Sequence, residues 1–155
     1  MSTEWLGAFD VADFNRITWR LVAAAVLGAL IGVEREWMRK AAGLRTHTTV
    51  SLASATFVLI VTEGGANTGD ISRVIQGVAA GVGFLGAGTI LKGNSEETIQ
   101  GLTTAATIWL TAAVGAAVGA GHVGVAMISV IAALLTLSVF SGVERLMNRQ
   151  GTGKR

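Results

Sequence analysis

The chain alternates between long apolar runs and short clusters of charge, and this pattern predicts helices that cross a membrane. A helix needs about 20 apolar residues to cross the hydrocarbon core of a bilayer, with a working range of about 17 to 25. Five runs come near that length: 17–33, 48–62, 71–91, 99–118 and 123–143. The last two are separated only by the glycine-rich turn 119–122, which predicts an antiparallel hairpin. We therefore predict an all-α integral membrane protein with a bundle of about five transmembrane helices.

Composition supports this class and limits the domain count. Hydrophobic types make up 51% of the chain and charged types 14%, against about 25% charged in a typical soluble domain. The 155 residues allow one domain, which we divide into a short N-terminal segment (1–16), a transmembrane domain (17–145) and a basic tail (146–155). The chain has no cysteine, which excludes disulfides, thiolate metal sites and cysteine nucleophiles.

The basic residues predict how the bundle is oriented. The first 16 residues carry three acidic groups before the first basic one, unlike a secretory signal, so the first run is expected to be a retained span. With five spans, three basic residues lie on one side (Arg16, Arg20, Arg73) and nine on the other (Arg35, Arg39, Lys40, Arg45, Lys92, Arg145, Arg149, Lys154, Arg155). The basic side of a membrane protein is the cytoplasmic one. We therefore expect a periplasmic N-terminus, a cytoplasmic C-terminus and no role in nucleic-acid binding.

The second span is too short. Its apolar stretch of about 15 residues falls below the roughly 20 that a crossing requires. Either the bilayer thins locally, or Arg45, Thr46 and His47 lie at membrane depth. An ionisable group at that depth faces the bundle interior and has a partner, whereas a long side chain near the headgroups can snorkel. Arg45 is therefore either functional or an anchor.

Small and hydroxyl residues predict how the helices pack. Close approach through small residues favours helix association in a bilayer. The residues that we assign to helix packing are Gly28, Gly32, Gly77, Gly81, Gly83, Gly86, Gly88, Gly115 and Gly119. Thr103, Thr107 and Thr111 recur every four residues and form a hydroxyl stripe, which can bond across to neighbouring helices or line a narrow polar path. Trp109, halfway along the fourth span, is expected to be a buried packing residue near the bundle centre.

Two charged clusters invite a chemical interpretation. If the first helix continues past Glu34, Arg35 and Arg39 share a face suited to anionic headgroups. Glu34 can instead meet Arg45 across the loop in a semi-buried ion pair at the cytoplasmic mouth. Glu96 and Glu97 in the third loop can hold hydrated Mg²⁺ loosely or can be ordinary loop solvation.

Catalytic and cofactor signals are missing from the sequence. Residues 81–86 spell GVGFLG, which matches the GxGxxG dinucleotide pattern, but that motif needs a preceding strand and a helix start. Here the letters fall in the middle of a span, so we reject a cofactor. Only exposed carboxylates and histidines favour an enzyme that acts on lipid, so we predict no enzymatic activity.

Four segments, in order, resemble the MgtC/SapB membrane proteins. They read GVERE at 32–36, AGLRTH at 42–47, GVGFLGAGTI at 81–90 and GLTTAATIW at 101–109, and the resemblance covers about 21–145. Many members carry a soluble C-terminal domain. This chain ends about ten residues after its last span, so we expect a short form without such a domain. The functional cluster predicted by the residues and the motifs together comprises Glu34, Arg35, Arg45, Thr46, His47, Thr103, Thr104 and Trp109.

The resemblance implies a bacterial inner-membrane protein linked to magnesium limitation, acid stress or life inside a host cell. It further implies action on other membrane machines, such as the proton-driven ATP synthase. The leading hypothesis is therefore a non-enzymatic regulator that binds other membrane protein subunits. The alternative is a small ion or solute transporter with a polar path near the cytoplasmic ends of helices 1 and 2. Because a thin bundle has more small-residue faces than one monomer needs, we also expect a homodimer.

Overall fold

The computed structural model describes residues 10–92 and 99–151, which form five helices and one short strand pair. The helices are α1 (Val11–Trp37), α2 (Leu44–Glu63), α3 (Thr68–Ala87), α4 (Leu102–Gly119) and α5 (Val123–Gly151). Strands β1 (Leu91–Lys92) and β2 (Ile99–Gln100) pair antiparallel. The predicted all-α membrane bundle is confirmed, with a two-residue ladder that the sequence pattern did not indicate.

Four of the five helices are long and apolar enough to cross a membrane, namely α1, α2, α4 and the 123–142 part of α5. The exception is α3, although its 20 residues would span about 30 Å at 1.5 Å per residue. Its first turns carry Asp70 and Arg73, and glycine replaces large apolar residues along much of the remainder. The third predicted span is thus a helix of sufficient length that lacks an 18-residue stretch apolar enough to be counted as a span.

The bounds of all five helices differ from the predicted spans. Helix α1 runs from Val11 to Trp37, beyond both ends of its predicted span 17–33, and it begins inside the predicted N-terminal segment. Helix α2 begins at Leu44, so Arg45, Thr46 and His47 belong to it and its length no longer falls short. Helix α3 ends and α4 begins several residues inside their predicted limits, because the strand pair lies between them. The chain enters α4 through Gly101, whose φ of 93° favours glycine. Helix α5 continues past residue 143 into the predicted basic tail.

Helix α2 lies at the centre of the bundle, with α1 on one side and α4 on the other. This arrangement is possible because glycines let α1 and α4 come unusually close to α2. A methyl group added at Gly28 of α1 would lie 2.6 Å from Ser51 Cβ, and one added at Gly115 of α4 would lie 2.8 Å from Ser51 Cα. Farther along, Gly32 meets Leu44 and Gly119 meets Ala55 in the same manner. Real Cβ atoms do not come this close, so only glycine permits this arrangement.

Small apolar residues fill the space around these contacts. The larger apolar cluster joins α1, α2, α4 and α5 through Ala24, Ile31, Ala55, Val114, Val118, Ala126 and Val130. Large apolar side chains, among them Phe57, Ile128, Leu135 and Phe140, face outward instead. Since lipid tails are as apolar as leucine, outward large residues and inward small ones are what a bilayer favours.

The glycines of α3 differ from those of α1 and α4. A Cβ added at Gly77, Gly81 or Gly83 would meet nothing within 4 Å. Gly86 makes an ordinary contact with Ala105 of α4, and Gly88 follows the end of α3 and approaches only the carbonyls of its own last turn. Gly77, Gly81 and Gly83, which we assigned to helix packing, therefore have no packing partner within the described part of this chain.

Candidate functional site

A row of buried polar side chains runs along the contact between α2 and α4, and we call it the polar seam. It consists of His47, Ser51 and Ser54 on α2 and Thr104, Thr107 and Thr111 on α4. Apart from Arg35, these are all the buried polar or charged residues among those described. The site therefore lies in the interior of the bundle, at the interface between its two most buried helices.

His47 is fully buried and bonds to two elements at once. Its Nδ1 lies 2.9 Å from the Gly43 carbonyl oxygen, and its Nε2 lies 3.3 Å from Thr107 Oγ1 on α4. The carbonyl can only accept, so Nδ1 carries the proton and donates. The His47 ring thus bonds to the residue that precedes α2 and also connects α2 to α4.

Two of the threonine hydroxyls of the seam bond to their own helix. Thr107 Oγ1 donates to the Thr104 carbonyl oxygen at 2.9 Å, and Thr111 Oγ1 donates to the Thr107 carbonyl oxygen at 2.8 Å. Since Thr107 has one proton, it can donate to Thr104 or to an unprotonated His47 Nε2, but not to both. Donation by His47 Nε2 into Thr107 satisfies both contacts together and requires a ring protonated at both nitrogens. The hydroxyl orientation of Thr107 is therefore linked to the protonation state of His47.

Serine 51 ties the seam to α1. Its Oγ donates to the Ala24 carbonyl oxygen at 2.7 Å, at the level where Gly28 and Gly115 press against it. Thr48, next to His47, has a buried Oγ1 that is without a hydrogen-bond partner among the described residues. Ser51 and Ser54 were not among the predicted site residues. The signal available in the sequence was their spacing along the short second span, on the side of His47.

The charged pair of the GVERE segment is internal to α1. Arg35 is 2% exposed, and its guanidinium binds the carboxylate of Glu34 with both Nε and Nη2, the latter at 2.6 Å from Oε1. The predicted Glu34–Arg45 pair is therefore wrong, because Glu34 turns to its sequence neighbour.

Arg35 and Arg39 also do not share a face. Helix α1 ends at Trp37, and Arg39 adopts a left-handed φ of 53°. This turn leaves Arg35 facing the bundle while Arg39 is exposed. The prediction of a continuous basic face for headgroups is wrong for Arg35.

Arg45 and Thr46 lie in the first turn of α2, and both are exposed. Neither reaches the polar seam. Glu36 extends from the end of α1 and accepts a hydrogen bond from the Leu44 backbone N–H at 3.1 Å. A carboxylate at a helix N-terminus satisfies a free N–H group and complements the helix dipole. Glu36, which the sequence reasoning did not assign to the site, therefore fixes the start of α2.

Trp109 and Thr103 are exposed on the outer surface of α4. Trp109 is 52% exposed, so the prediction that it is buried near the centre is wrong. Thr103 is also exposed, and the inward threonines are 104, 107 and 111. The reason is helical geometry: at about 100° per residue, position 109 lies opposite the threonine face. Because α4 turns its hydroxyls inward, its large aromatic residue points outward.

A groove between α4 and α5 reaches the seam from outside. It has a volume of about 430 Å³ and is lined in part by the hydroxyl residues Thr103, Thr107, Ser129 and Thr136. Thr107 thus bonds to His47 on one side and borders the groove on the other. Thr103, although outside the seam, lies next to it along this groove.

An ion-pair cluster that the sequence did not indicate lies at the opposite end of the bundle. Arg16 and Arg20 of α1 both pair with Glu63 at the end of α2. Arg20 Nη1 also donates to the Gly119 carbonyl oxygen of α4 at 3.1 Å, where a cation complements the C-terminal end of the helix dipole. This cluster fastens three helix ends, so we assign it a structural role.

A metal centre has no support among the described residues, where no group of three His, Asp or Glu side chains converges. Glu96 and Glu97, the weak candidates for Mg²⁺, lie outside the described residues. Among the described acidic side chains, Glu34 and Glu36 are engaged by Arg35 and by the Leu44 N–H.

The fold and the seam define a multi-pass α-helical membrane protein with a small-residue core and a buried polar interface. The family profile described as "MgtC family" matches residues 21–146. The chain belongs to the MgtC family, as the resemblance of its four segments implied, and to the multi-pass proteins of the bacterial inner membrane.

Curated relatives share between a third and a half of the aligned residues. Protein SrpB of Synechococcus elongatus is 44% identical over 92% of this chain and 80% of its own length. The putative magnesium transporter YhiD of Escherichia coli is 42% identical, with 84% of this chain and 63% of the relative covered. Protein MgtC of Brucella abortus is 45% identical, with 72% and 47% covered. The chain thus spans well under two thirds of some relatives. No solved structure matches it.

Proposed function

We propose that the protein is a non-enzymatic regulator of other membrane machinery, acting under magnesium limitation or related stress. The link to magnesium comes from its relatives, one of which is named a putative magnesium transporter and others MgtC. Stress adaptation is what the family resemblance implies. Binding to a membrane partner, rather than conduction, is the activity that the geometry supports best.

The observation that carries this proposal is the closure of the bundle at Ser51. Gly28 of α1 lies against Ser51 Cβ and the His47 carbonyl oxygen, Gly115 of α4 lies against the Ser51 backbone, and Ser51 Oγ is bonded to α1. Mg²⁺ binds about six oxygen ligands at about 2.0–2.1 Å and retains several waters. A three-helix contact of this kind leaves no width for such an ion. The seam therefore supports a packing role, in which hydroxyls bond within and between helices.

Trp109 supports a partner contact on the outer face of α4. Tryptophan in membrane proteins favours the interface with water, whereas Trp109 lies in the middle of an 18-residue helix. Its ring is half exposed and belongs to the GLTTAATIW segment of the family. Aromatic residues of this kind are frequent hot spots of protein interfaces. We assign Trp109 to partner binding.

A flux measurement separates the regulator from the alternative, a small ion or solute transporter. The alternative is favoured by Thr107, which joins the buried His47 to the α4/α5 groove. We expect liposomes containing the folded protein to show Mg²⁺, proton and potassium flux no greater than protein-free liposomes. The measurement uses ion-sensitive dyes trapped inside the liposomes, with folding of the protein verified by circular dichroism.

Two matched variants would show whether any observed flux depends on the polar seam. Thr107→Val removes a seam hydroxyl at nearly constant shape, and Thr56→Val does the same on the exposed side of α2. Flux that is lost in Thr107→Val and retained in Thr56→Val would make the protein a transporter.

In native membranes, a photoreactive amino acid at position 109 should cross-link a second membrane protein, whereas one at Val139 on α5 should not. Failure of position 109 to capture any membrane protein would contradict the regulator.

We also propose that the N-terminus is periplasmic and the C-terminus cytoplasmic. The nine-to-three division of basic residues supports this orientation through the positive-inside preference. The prediction is tested with single cysteines in the cysteine-free chain. A membrane-impermeant thiol reagent should label His122→Cys in spheroplasts and should label Lys40→Cys only after the membrane is opened. Labelling in the reverse order would overturn the orientation.

A further inference from the structure

The surface of α3 combines little burial with exposed glycines and two charged residues. It is the helix whose composition falls short of a membrane span, yet among its residues only Val82 and Gly86 are buried. Gly77 and Gly81 expose backbone with no neighbour within 4 Å. In a bilayer, polar and small-residue surfaces are stabilised by protein contact rather than by lipid tails. A helix of this composition is therefore expected to be covered by another protein chain.

A groove runs beside the exposed glycines. It lies between α2 and α3, has a volume of about 520 Å³ and is almost wholly apolar. On the α3 side it is bordered by Val74, Val78 and Leu85, with Gly77 and Gly81 at its edge. On the α2 side Val50, Ala53 and Phe57 contribute. The groove is open to the outside of the bundle and can accept a large apolar side chain from another helix.

A large apolar side chain lies on the opposite flank of the same helix face. Phe84 is 81% exposed, and at about 100° per residue it lies on the other side of the Gly77–Gly81 line from Val74 and Leu85. Arg73 lies on the same flank as Phe84, and Asp70 lies close to the glycine line. The face thus carries a protrusion on one flank, a groove on the other and both members of an ion pair.

We propose that this face binds a second copy of the chain, related by a two-fold axis along the membrane normal. Such an axis keeps both copies in the same orientation in the membrane and sets the two α3 helices parallel. It places the Phe84 flank of each copy against the groove flank of the other, at the same depth. The glycine lines then meet as in a GxxxG pair, and Arg73 of each copy approaches Asp70 of the other. The face is complementary to itself in shape and in charge.

Disulfide cross-linking tests this interface directly, because the chain has no native cysteine. A cysteine at Gly81 should form a disulfide between copies when native membranes are oxidised, and more than half of the protein should migrate as a covalent dimer. The matched control is Gly124→Cys, because Gly124 of α5 is equally free of neighbours. That variant should remain monomeric.

Mass measurement with two further variants completes the test. The parent protein should have the mass of a dimer in nanodiscs. Phe84→Ala and Gly81→Leu should raise the dimer dissociation constant at least tenfold without changing helical content, since a larger residue at Gly81 has free space within its own chain. A monomeric parent protein would mean that lipid covers the face. A Gly81→Cys disulfide with a different protein, or dimers unaffected by both variants, would equally overturn the proposal. None of these results depends on flux or on the partner of Trp109.

Discussion

Substituting Gly115 with alanine should strongly destabilise the protein. The new Cβ would lie 2.8 Å from the Cα and carbonyl carbon of Ser51. Those are backbone atoms of the central helix, so no side-chain rotation relieves the overlap. Added methyl groups in a packed core cost about 1–3 kcal/mol, and we expect about 3 kcal/mol here because α2 must move away from α4. Thermal unfolding followed by circular dichroism in mild detergent measures the loss.

The control variant for this prediction should have the opposite effect on the stability of the protein. Alanine stabilises a helix by about 1 kcal/mol relative to glycine, provided that the methyl group has space. Gly124→Ala adds the same atoms to α5 where nothing lies within 4 Å, so its unfolding temperature should be unchanged or higher. Gly28→Ala should behave like Gly115→Ala, since its Cβ would lie 2.8 Å from the His47 carbonyl oxygen. If Gly115→Ala and Gly124→Ala unfold at the same temperature, the close approach of α2 and α4 is wrong.

Replacing Arg35 with methionine should leave the carboxylate of Glu34 partly buried without its partner. Removing one member of a buried ion pair costs about 3–5 kcal/mol, and Arg35 is the charged residue that is most deeply buried among those described. We therefore expect a large fall in the yield of folded protein and in its unfolding temperature. Arg73→Met is the matched control, because Arg73 forms an ion pair with Asp70 in the same manner but is largely exposed. Its effect on the unfolding of the monomer should be small.

A double variant distinguishes the loss of the pair from the loss of the arginine side chain. Glu34→Gln combined with Arg35→Met removes both charges, and neutral replacement of a buried pair is often nearly neutral for stability. The double variant should thus be more stable than Arg35→Met alone, and the coupling energy follows from the four unfolding free energies. Equal stability of the single and double variants would show that Arg35 acts through packing of its aliphatic stem.

The polar seam and the α3 face have different consequences for function. The seam joins α2 to α4 and is closed at Ser51, so variation there is expected to alter stability of the bundle first. The α3 face and Trp109 are on the outside of the bundle, where we expect substitutions to leave the fold intact and to alter the proposed association. This separation allows the dimer and the partner to be tested in proteins that remain folded.

The sequence predicted the helices correctly, but it was a poorer guide to which face of each helix is buried. The apolar runs predicted five helices and their order, and the MgtC resemblance is confirmed. The glycines of α1 and α4 lie at close contacts, as small residues in a membrane bundle are expected to. The face of Trp109 was predicted wrongly because aromatic burial is a rule of soluble cores, whereas in a bilayer large apolar residues can face outward at no cost. Thr103 was placed in the hydroxyl stripe by a spacing of four, which on a helix drifts by about 40° and competes with the spacing of three used by Thr104 and Thr107.

What the sequence determined by itself was the class of the protein, because hydropathy over about 20 residues decides whether a helix is stable in a bilayer. It also determined the positions of the glycines, without indicating which of them would pack closely against another helix. Only the tertiary structure decided that Glu34 binds Arg35 rather than Arg45, that His47 reaches Thr107 sixty residues away, and that the glycines of α3 remain open. These outcomes depend on the rotation of each helix about its own axis. In a membrane that rotation is decided by backbone contacts and hydrogen bonds between helices, since hydrophobicity provides no preference among apolar faces.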